Sequence, residues 1–349
     1  MLKKLSIFML IGMLMVFIAA CGGGGGSSKT ANEGGGEEPA KSGDGGKSEY
    51  KIQIGYVTTD TDDDPYHISA ALFKKYAEEM TDGQVQIELF PNGQLGQERE
   101  MVEGMQLGTV DGGVITNAYL SGFAKSALVF DLPFLFADYE QAHKAADGEV
   151  GNAIIKELES QGVVGLGWTE GGFRVMMNNV RGIKVPSDAE GIKFRSLENP
   201  MYLGMFKNIG ANPTPMAWGE VFTSVQQGTV DGLEAPVAVL YQARYHEITK
   251  YLSITNHTYS PLLIAVSKEV WDGLPEDIQG KLKEAAAKTS VEQRQKSKEL
   301  TESLLSKFEE AGVEVNQISN VEDFREKVKS VYEDFRGEIG DDLMKAVGL

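Results

Sequence analysis

Arg174 and Arg195 each follow a phenylalanine, in Phe173-Arg174 and Phe194-Arg195. A guanidinium presents a rigid fork of donors that matches a carboxylate at two points. In a dry cleft such a pair is far stronger than a surface ion pair, which is worth about 0–1 kcal/mol. The competing reading is an arginine bridging surface carboxylates, since the chain has 51 Asp and Glu against 33 Lys and Arg. Trp168 and Trp218 offer ring faces to a sugar or flanks to an aliphatic acid; as core tryptophans they need no ligand. Catalytic signatures fail one by one. There is no phosphate loop and no H-E-x-x-H, and Gly165-x-Gly167 is followed by Glu170 where a dinucleotide fingerprint needs glycine. His67, His143, His246 and His257 share no metal-ligand spacing. Asp60 to Asp64 begins like a calcium loop, but Pro65 replaces the glycine and Ala71 the final glutamate. No nucleophile elbow and no reactive cysteine are present. The residues point to binding rather than to turnover, with no catalytic residue, no cofactor and no metal.

Arg195 belongs to the most informative stretch, Gly191 to Pro236. A short strand pattern ends at Arg195, and a helix, a proline-rich turn, a second helix and Gly228-Thr229-Val230-Asp231-Gly232 follow. That ending has an earlier copy, Gly108-Thr109-Val110-Asp111-Gly112, 120 positions upstream. Glu100 and Glu220, and Gln106 and Gln226, match at the same offset, so seven of the thirteen positions from 100 to 112 are identical. The repetition predicts two lobes built from related helix-to-strand units, with a charged anchor near their junction.

Alternation predicts strands at Ile52–Val57 and Val85–Phe90, and the 163–168 run predicts another. Asp64-Pro65 opens a helix to about Met80, and a further helix over 96–107 ends at Gly108. Strands alternating with helices predict an α/β class with sheet ends facing a cleft. Residues 49–172 with 261–300 form lobe I, and residues 173–260 with 313–349 form lobe II. The stretch from about 276 to 311 reads as one long helix bridging both, apolar at its ends and polar from Thr289 to Glu299; two ordinary helices are the alternative. Residues 313–349 add a short strand and one or two amphipathic helices packing on lobe II.

Residues 1–20 read as a signal peptide, with Lys3 and Lys4 before an apolar run. Ile18-Ala19-Ala20-Cys21 resembles a bacterial lipoprotein lipobox, which implies lipidation at Cys21; an uncleaved anchor is the competing reading. Residues 22–48 hold eleven glycines and read as a flexible tether, spanning roughly 25–30 Å at about 5–6 Å × √n. Losing Lys3 and Lys4 takes the net charge from −18 to −20. That charge argues against nucleic acid and anionic lipid as partners, without excluding a small anion held locally. Extracytoplasmic attachment through the lipid anchor alone is the expectation.

Phe194-Arg195-Ser196, Asn199-Pro200, Gly210 to Met216, Glu220-Val221-Phe222 and Gln226 to Gly232 closely resemble the DctP-type solute receptors of tripartite ATP-independent periplasmic (TRAP) transporters. Asp131-Leu-Pro133-Phe134-Leu-Phe136 and Gly93-Gln-Leu95-Gly96 fit the same family, and the resemblance covers residues 49–349. It implies a bilobal periplasmic-binding-protein-like fold, two α/β lobes around a cleft, and a monomeric receptor that opens and closes on an organic anion and delivers it to a Na⁺-driven TRAP permease. Arg195 corresponds to the arginine that grips the ligand carboxylate, Arg174 to a second arginine and Trp218 to a pocket aromatic. Glu98, Thr116 and Asn117 map to first-lobe ligand groups, and Asn199 and Trp168 to pocket neighbours. One departure is Glu234-Ala235-Pro236, where the family has Glu-Asn-Pro. It leaves the ligand open among a C4-dicarboxylate, a hexuronate or related sugar acid, and a branched 2-keto acid. Glu234 either orients Arg195 from behind or is a surface residue after a turn. Two other functions share parts of this reading: a sensor presenting ligand to a receptor kinase, and a surface hydrolase, for which no nucleophile–base pair is found.

Overall fold

The computed structural model describes residues 49–349. The signal run, Cys21 and the glycine-rich tether lie outside the described residues. Among those described, no helix is long and apolar enough to cross a membrane.

The first lobe is a sheet of β1 (Tyr50–Gly55), β2 (Val85–Phe90), β3 (Gly112–Thr116) and the first part of β4 (Val163–Asn178), closed by β9 (Tyr259–Ser267). The second lobe uses the end of β4 with β5 (Lys193–Ser196), β6 (Asn212–Pro215) and β7 (Gly232–Pro236), flanked by β8 (Tyr251–Ile254) and β10 (Glu314–Gln317). The strand order is β2-β1-β3-β9-β4-β7-β5-β6, with β8 and β10 branching from β4. β9 runs antiparallel between β3 and β4, and all nine of its residues are buried. A strand covered on both faces reads as a continuous apolar run, as 261–266 does.

β4 extends ten residues past Trp168, where the sequence pattern stops. It pairs with β9 over Val163–Phe173 and with β7 over Arg174–Asn178, so one strand carries the crossing between lobes. Its ladder is irregular between Glu170 and Gly172, and Gly172 has a φ of 102°. The bridging segment is a single helix of 35 residues, Glu276–Glu310, which packs on the Pro65–Met80 helix of one lobe and the Val237–Gln242 helix of the other. Its polar middle has a reason. Gln293 accepts from the Glu170 N–H (2.9 Å) and donates to the Glu170 carbonyl (2.6 Å) and the Pro65 carbonyl (3.3 Å). It satisfies backbone groups that the irregular part of β4 leaves unpaired.

The C-terminal region departs from the expectation that it packs on the second lobe. Helix Val321–Ile339 packs on Pro200–Asn208 and also on the 125–131 turn of the first lobe. Tyr332 donates to the Pro133 carbonyl (2.6 Å) and Arg325 to the Phe134 carbonyl (3.1 Å).

The duplicated pentapeptide adopts one geometry twice. Gly108 and Gly228 sit at φ 70° and 72° after helices Glu98–Gln106 and Trp218–Gln226. There a residue without Cβ takes the left-handed conformation at no steric cost. Asp111 accepts the Gln53 N–H of β1 and Asp231 the Lys193 N–H of β5, each at 2.9 Å, so each aspartate pins the neighbouring parallel strand. A Cβ on Gly112 would lie 2.6 Å from the Ala265 carbonyl oxygen, and one on Gly232 2.2 Å from that of Met177.

Candidate functional site

Glu98 and Trp218 are the first residues of the two duplicated helices, and both face one cavity between the lobes. Its polar lining is Thr58, Tyr66, Glu98, Arg174 and Arg195; Val57, Leu197, Ala235, Pro236 and Val239 complete the wall with Trp218. The cavity is small, with about 290 Å³ free of atoms. The lobes are therefore closed. Gln97 accepts the Gly219 N–H across the cleft at 3.1 Å, and Thr61 meets Gln242 at 3.3 Å. A larger open groove of about 1190 Å³ lies by Phe134, Tyr332 and Leu349. Glu322, Asp323, Glu326 and Lys329 there are exposed, so an anion would stay in water.

Arg195, at the third position of β5, is wholly buried. Its Nε and Nη2 donate to the Met216 carbonyl (2.9 and 2.7 Å), and Nη2 also reaches the Tyr119 hydroxyl at 3.3 Å. The guanidinium lies 5.8 Å from the Trp218 ring centroid. Nη1 has no hydrogen-bond partner, with the nearest Glu234 oxygen 4.0 Å away. A buried charged donor without an acceptor is costly, and Arg195 Nη1 is in that position.

Arg174 is satisfied differently. Nε donates to Glu234 Oε2, Nη2 to Glu234 Oε1 (2.9 Å) and the Glu234 carbonyl (3.0 Å), and Nη1 to Ser260 Oγ (3.2 Å). Glu234 therefore holds Arg174 first and Arg195 only at a distance, unlike the expectation that it orients Arg195. Burial alone would raise the Glu234 carboxyl, but Arg174 and His257 bring it down to about 2. His257, 3.3 Å from Glu234 and 2.8 Å from Thr255, is buried and pushed below the usual imidazole value.

Thr116 donates its N–H to Glu98 Oε1 (2.6 Å), and its hydroxyl meets Ser260 at 3.0 Å. Glu98 is raised to about 7 by burial, opposed by the Thr116 N–H, Arg174, Arg195 and the Tyr66 phenol.

Thr116 and the remaining expected residues, Asn117, Asn199 and Trp168, lie outside the cavity wall. Asn117 and Asn199 converge on Asp131, donating to its Oδ1 (3.0 Å) and Oδ2 (2.8 Å). The Asn199 side-chain oxygen caps the next helix at Met201 N–H (2.9 Å). Burial raises Asp131 to about 7 against these bonds. Trp168 packs on Phe130 (5.7 Å between ring centroids) in the first-lobe core. Sequence reasoning missed Tyr66, Ser260, Tyr119, His257 and Asp131. Asp131 lay in a quoted motif, while the others carry no local signal. Among the described residues no cluster of three or more metal-ligating side chains occurs.

A family model described as bacterial extracellular solute-binding protein, family 7 (DctP), matches residues 55–338. The chain is 35% identical to the 2,3-diketo-L-gulonate-binding periplasmic protein YiaO of Escherichia coli, over 85% of this chain and 90% of that one. It is 32% identical to the C4-dicarboxylate-binding periplasmic protein DctP of Rhodobacter capsulatus, over 82% and 86%. The crystal structure of a TRAP periplasmic solute-binding protein from Polaromonas sp. JS666, bound to D-erythronate, superposes with a TM-score of 0.83. It shares 37% identity and covers 86% of this chain and 98% of that chain.

Proposed function

From the premise that this chain belongs to family 7 of the bacterial extracellular solute-binding proteins, we propose that it is a lipid-anchored receptor that clamps a small organic acid through Arg195. It is a TRAP solute-binding protein for organic acids and works outside the cytoplasm. The ligand carboxylate docks on Arg195 Nη1, with Arg174 behind it and the Trp218 ring covering it. Glu98 meets the ligand from the first lobe, and the Thr116 N–H holds its carboxyl from behind. Asn117, Asn199 and Trp168 support the walls from outside. The acid is a C4-dicarboxylate or a sugar acid such as a hexuronate. Cys21 carries the lipid, the receptor is a monomer, and the loaded form delivers its ligand, chemically unchanged, to a Na⁺-driven permease.

One observation carries this reading: a wholly buried guanidinium, facing a closed cavity, with one nitrogen left unpaired. Closure around a ligand supplies its acceptor in a dry setting, where a charge-assisted bond is strong. A thermal-shift screen of organic acids tests it. A ligand at 100 times its Kd adds about 2.7 kcal/mol, and the midpoint should rise by several degrees. In Arg195→Ala the affinity for any hit should fall by roughly 30-fold or more, the ~2 kcal/mol expected for removing one partner of a buried charge pair. An Arg195→Ala variant that binds as tightly as the parent would sink the assignment.

A further inference from the structure

The charges around the cavity can be counted. Arg174 and Arg195 bring two positive charges, and Glu234, held ionised against Arg174, neutralises one. His257 is buried and disfavoured in its charged form. One positive charge remains open, at Arg195 Nη1. Glu98, 3% exposed, belongs to the first-lobe side of the same cavity. The charged and titratable groups facing it are Arg174 on β4, Arg195 on β5, Tyr66 on the Pro65–Met80 helix and Tyr119 after β3. With Glu98 protonated the set keeps one positive charge, which a ligand with one carboxylate neutralises; with Glu98 ionised the set is already balanced, and only a carboxylate held at Arg195, away from Glu98, is tolerated. A second carboxylate would share a dry enclosure with Glu98, where two like charges repel strongly.

We propose that the site takes a short hydroxy acid carrying a single carboxylate, and that Glu98 selects it by hydrogen-bonding a hydroxyl and repelling a second carboxylate. This rests on the carboxylate-receptor reading and narrows it. The apolar wall of Val57, Leu197 and Val239 suits the C–H faces of such a ligand, and Ala235 adds no donor for a second anionic group. A diacid enters only with a proton, placed on Glu98 or on the diacid itself. Since Glu98 lies near 7 in the empty site, that proton is readily available below neutrality and becomes scarcer above it, by up to about tenfold per pH unit.

The test uses pairs that differ in charge but not in chain length: D-erythronate with meso-tartrate, and galactonate with galactarate. Calorimetry on the purified protein would measure each at about pH 6 and pH 8, with the parent and with Glu98→Gln, in buffers of unlike ionisation enthalpy. In the pair whose length fits, the monoacid should bind at least roughly tenfold tighter at pH 8. The gap should narrow at pH 6, with greater net proton uptake for the diacid than for its monoacid. Glu98→Gln should shrink the pH 8 gap to about threefold or less. A diacid that binds as tightly as its monoacid at pH 8, a gap that Glu98→Gln leaves intact, or no binding by either monoacid overturns the inference. Diacids that still bind, and bind through Arg195, would leave the carboxylate receptor standing without this selectivity. Binding of neutral sugars alone would defeat the receptor reading itself.

Discussion

At Arg174 every guanidinium nitrogen meets an acceptor, whereas Arg195 keeps Nη1 open inside the cavity. The difference lies with Glu234, which pairs closely with Arg174 and stands 4.0 Å from Arg195. Around this pair sit three buried acids, Asp64, Glu98 and Asp131, each raised by burial to about 7 from 3.8 or 4.5. Unfolding lets them ionise freely. The stability they lend is therefore full below their unfolded values and is lost as pH rises through about 7. Glu234, lowered to about 2, acts in the opposite sense: its share is present above 4.5 and is lost as pH falls through about 2. The unfolding midpoint should accordingly be highest in mild acid and decline from about pH 5 to pH 8. Glu98→Gln should gain on the parent as pH rises. A midpoint that climbs over that range would contradict these environments.

The secondary elements tell how much of this was readable in advance. The pentapeptide copies were legible because each position answers to a local demand: a left-handed turn, a strand-pinning carboxylate, and a glycine under a carbonyl. The long helix was legible by its apolar ends. Its polar middle was not, because Gln293 serves Glu170, 123 positions away. Likewise, Arg174 and Glu234 are 60 residues apart, and Asn117 and Asn199 meet only because Asp131 lies between them. Pairings of this kind arise from topology and leave no spacing to read. Two glycine substitutions check the local account by urea denaturation. Gly232→Ala drives a Cβ to 2.2 Å from the Met177 carbonyl oxygen and should destabilise by on the order of 3 kcal/mol or more. Gly280 is exposed within the long helix, with nothing within 4 Å of an added Cβ. Gly280→Ala should stabilise by about 0.5–1 kcal/mol. The opposite order would refute the packing described for both.

In the whole molecule the two lobes touch across the cleft through few contacts, of which Gln97 to Gly219 is the clearest. Gln97 immediately precedes Glu98 at the start of one duplicated helix and Gly219 follows Trp218 in the other, so the contact across the cleft sits beside two cavity residues. Gln97→Ala should weaken ligand binding by about threefold to tenfold, the ~0.5–1.5 kcal/mol of one net hydrogen bond. It should do so through faster release, seen in stopped-flow dissociation; an unchanged release rate would remove Gln97 from the clamp. On the far side the lobes are joined many times over, by β4, by the long helix, by Val321–Ile339 and by Asn199 reaching Asp131. Jaws tied at so many places along one edge retain few degrees of freedom relative to each other. An acid held at Arg195, as proposed above, would therefore have little relative motion of the jaws left to remove.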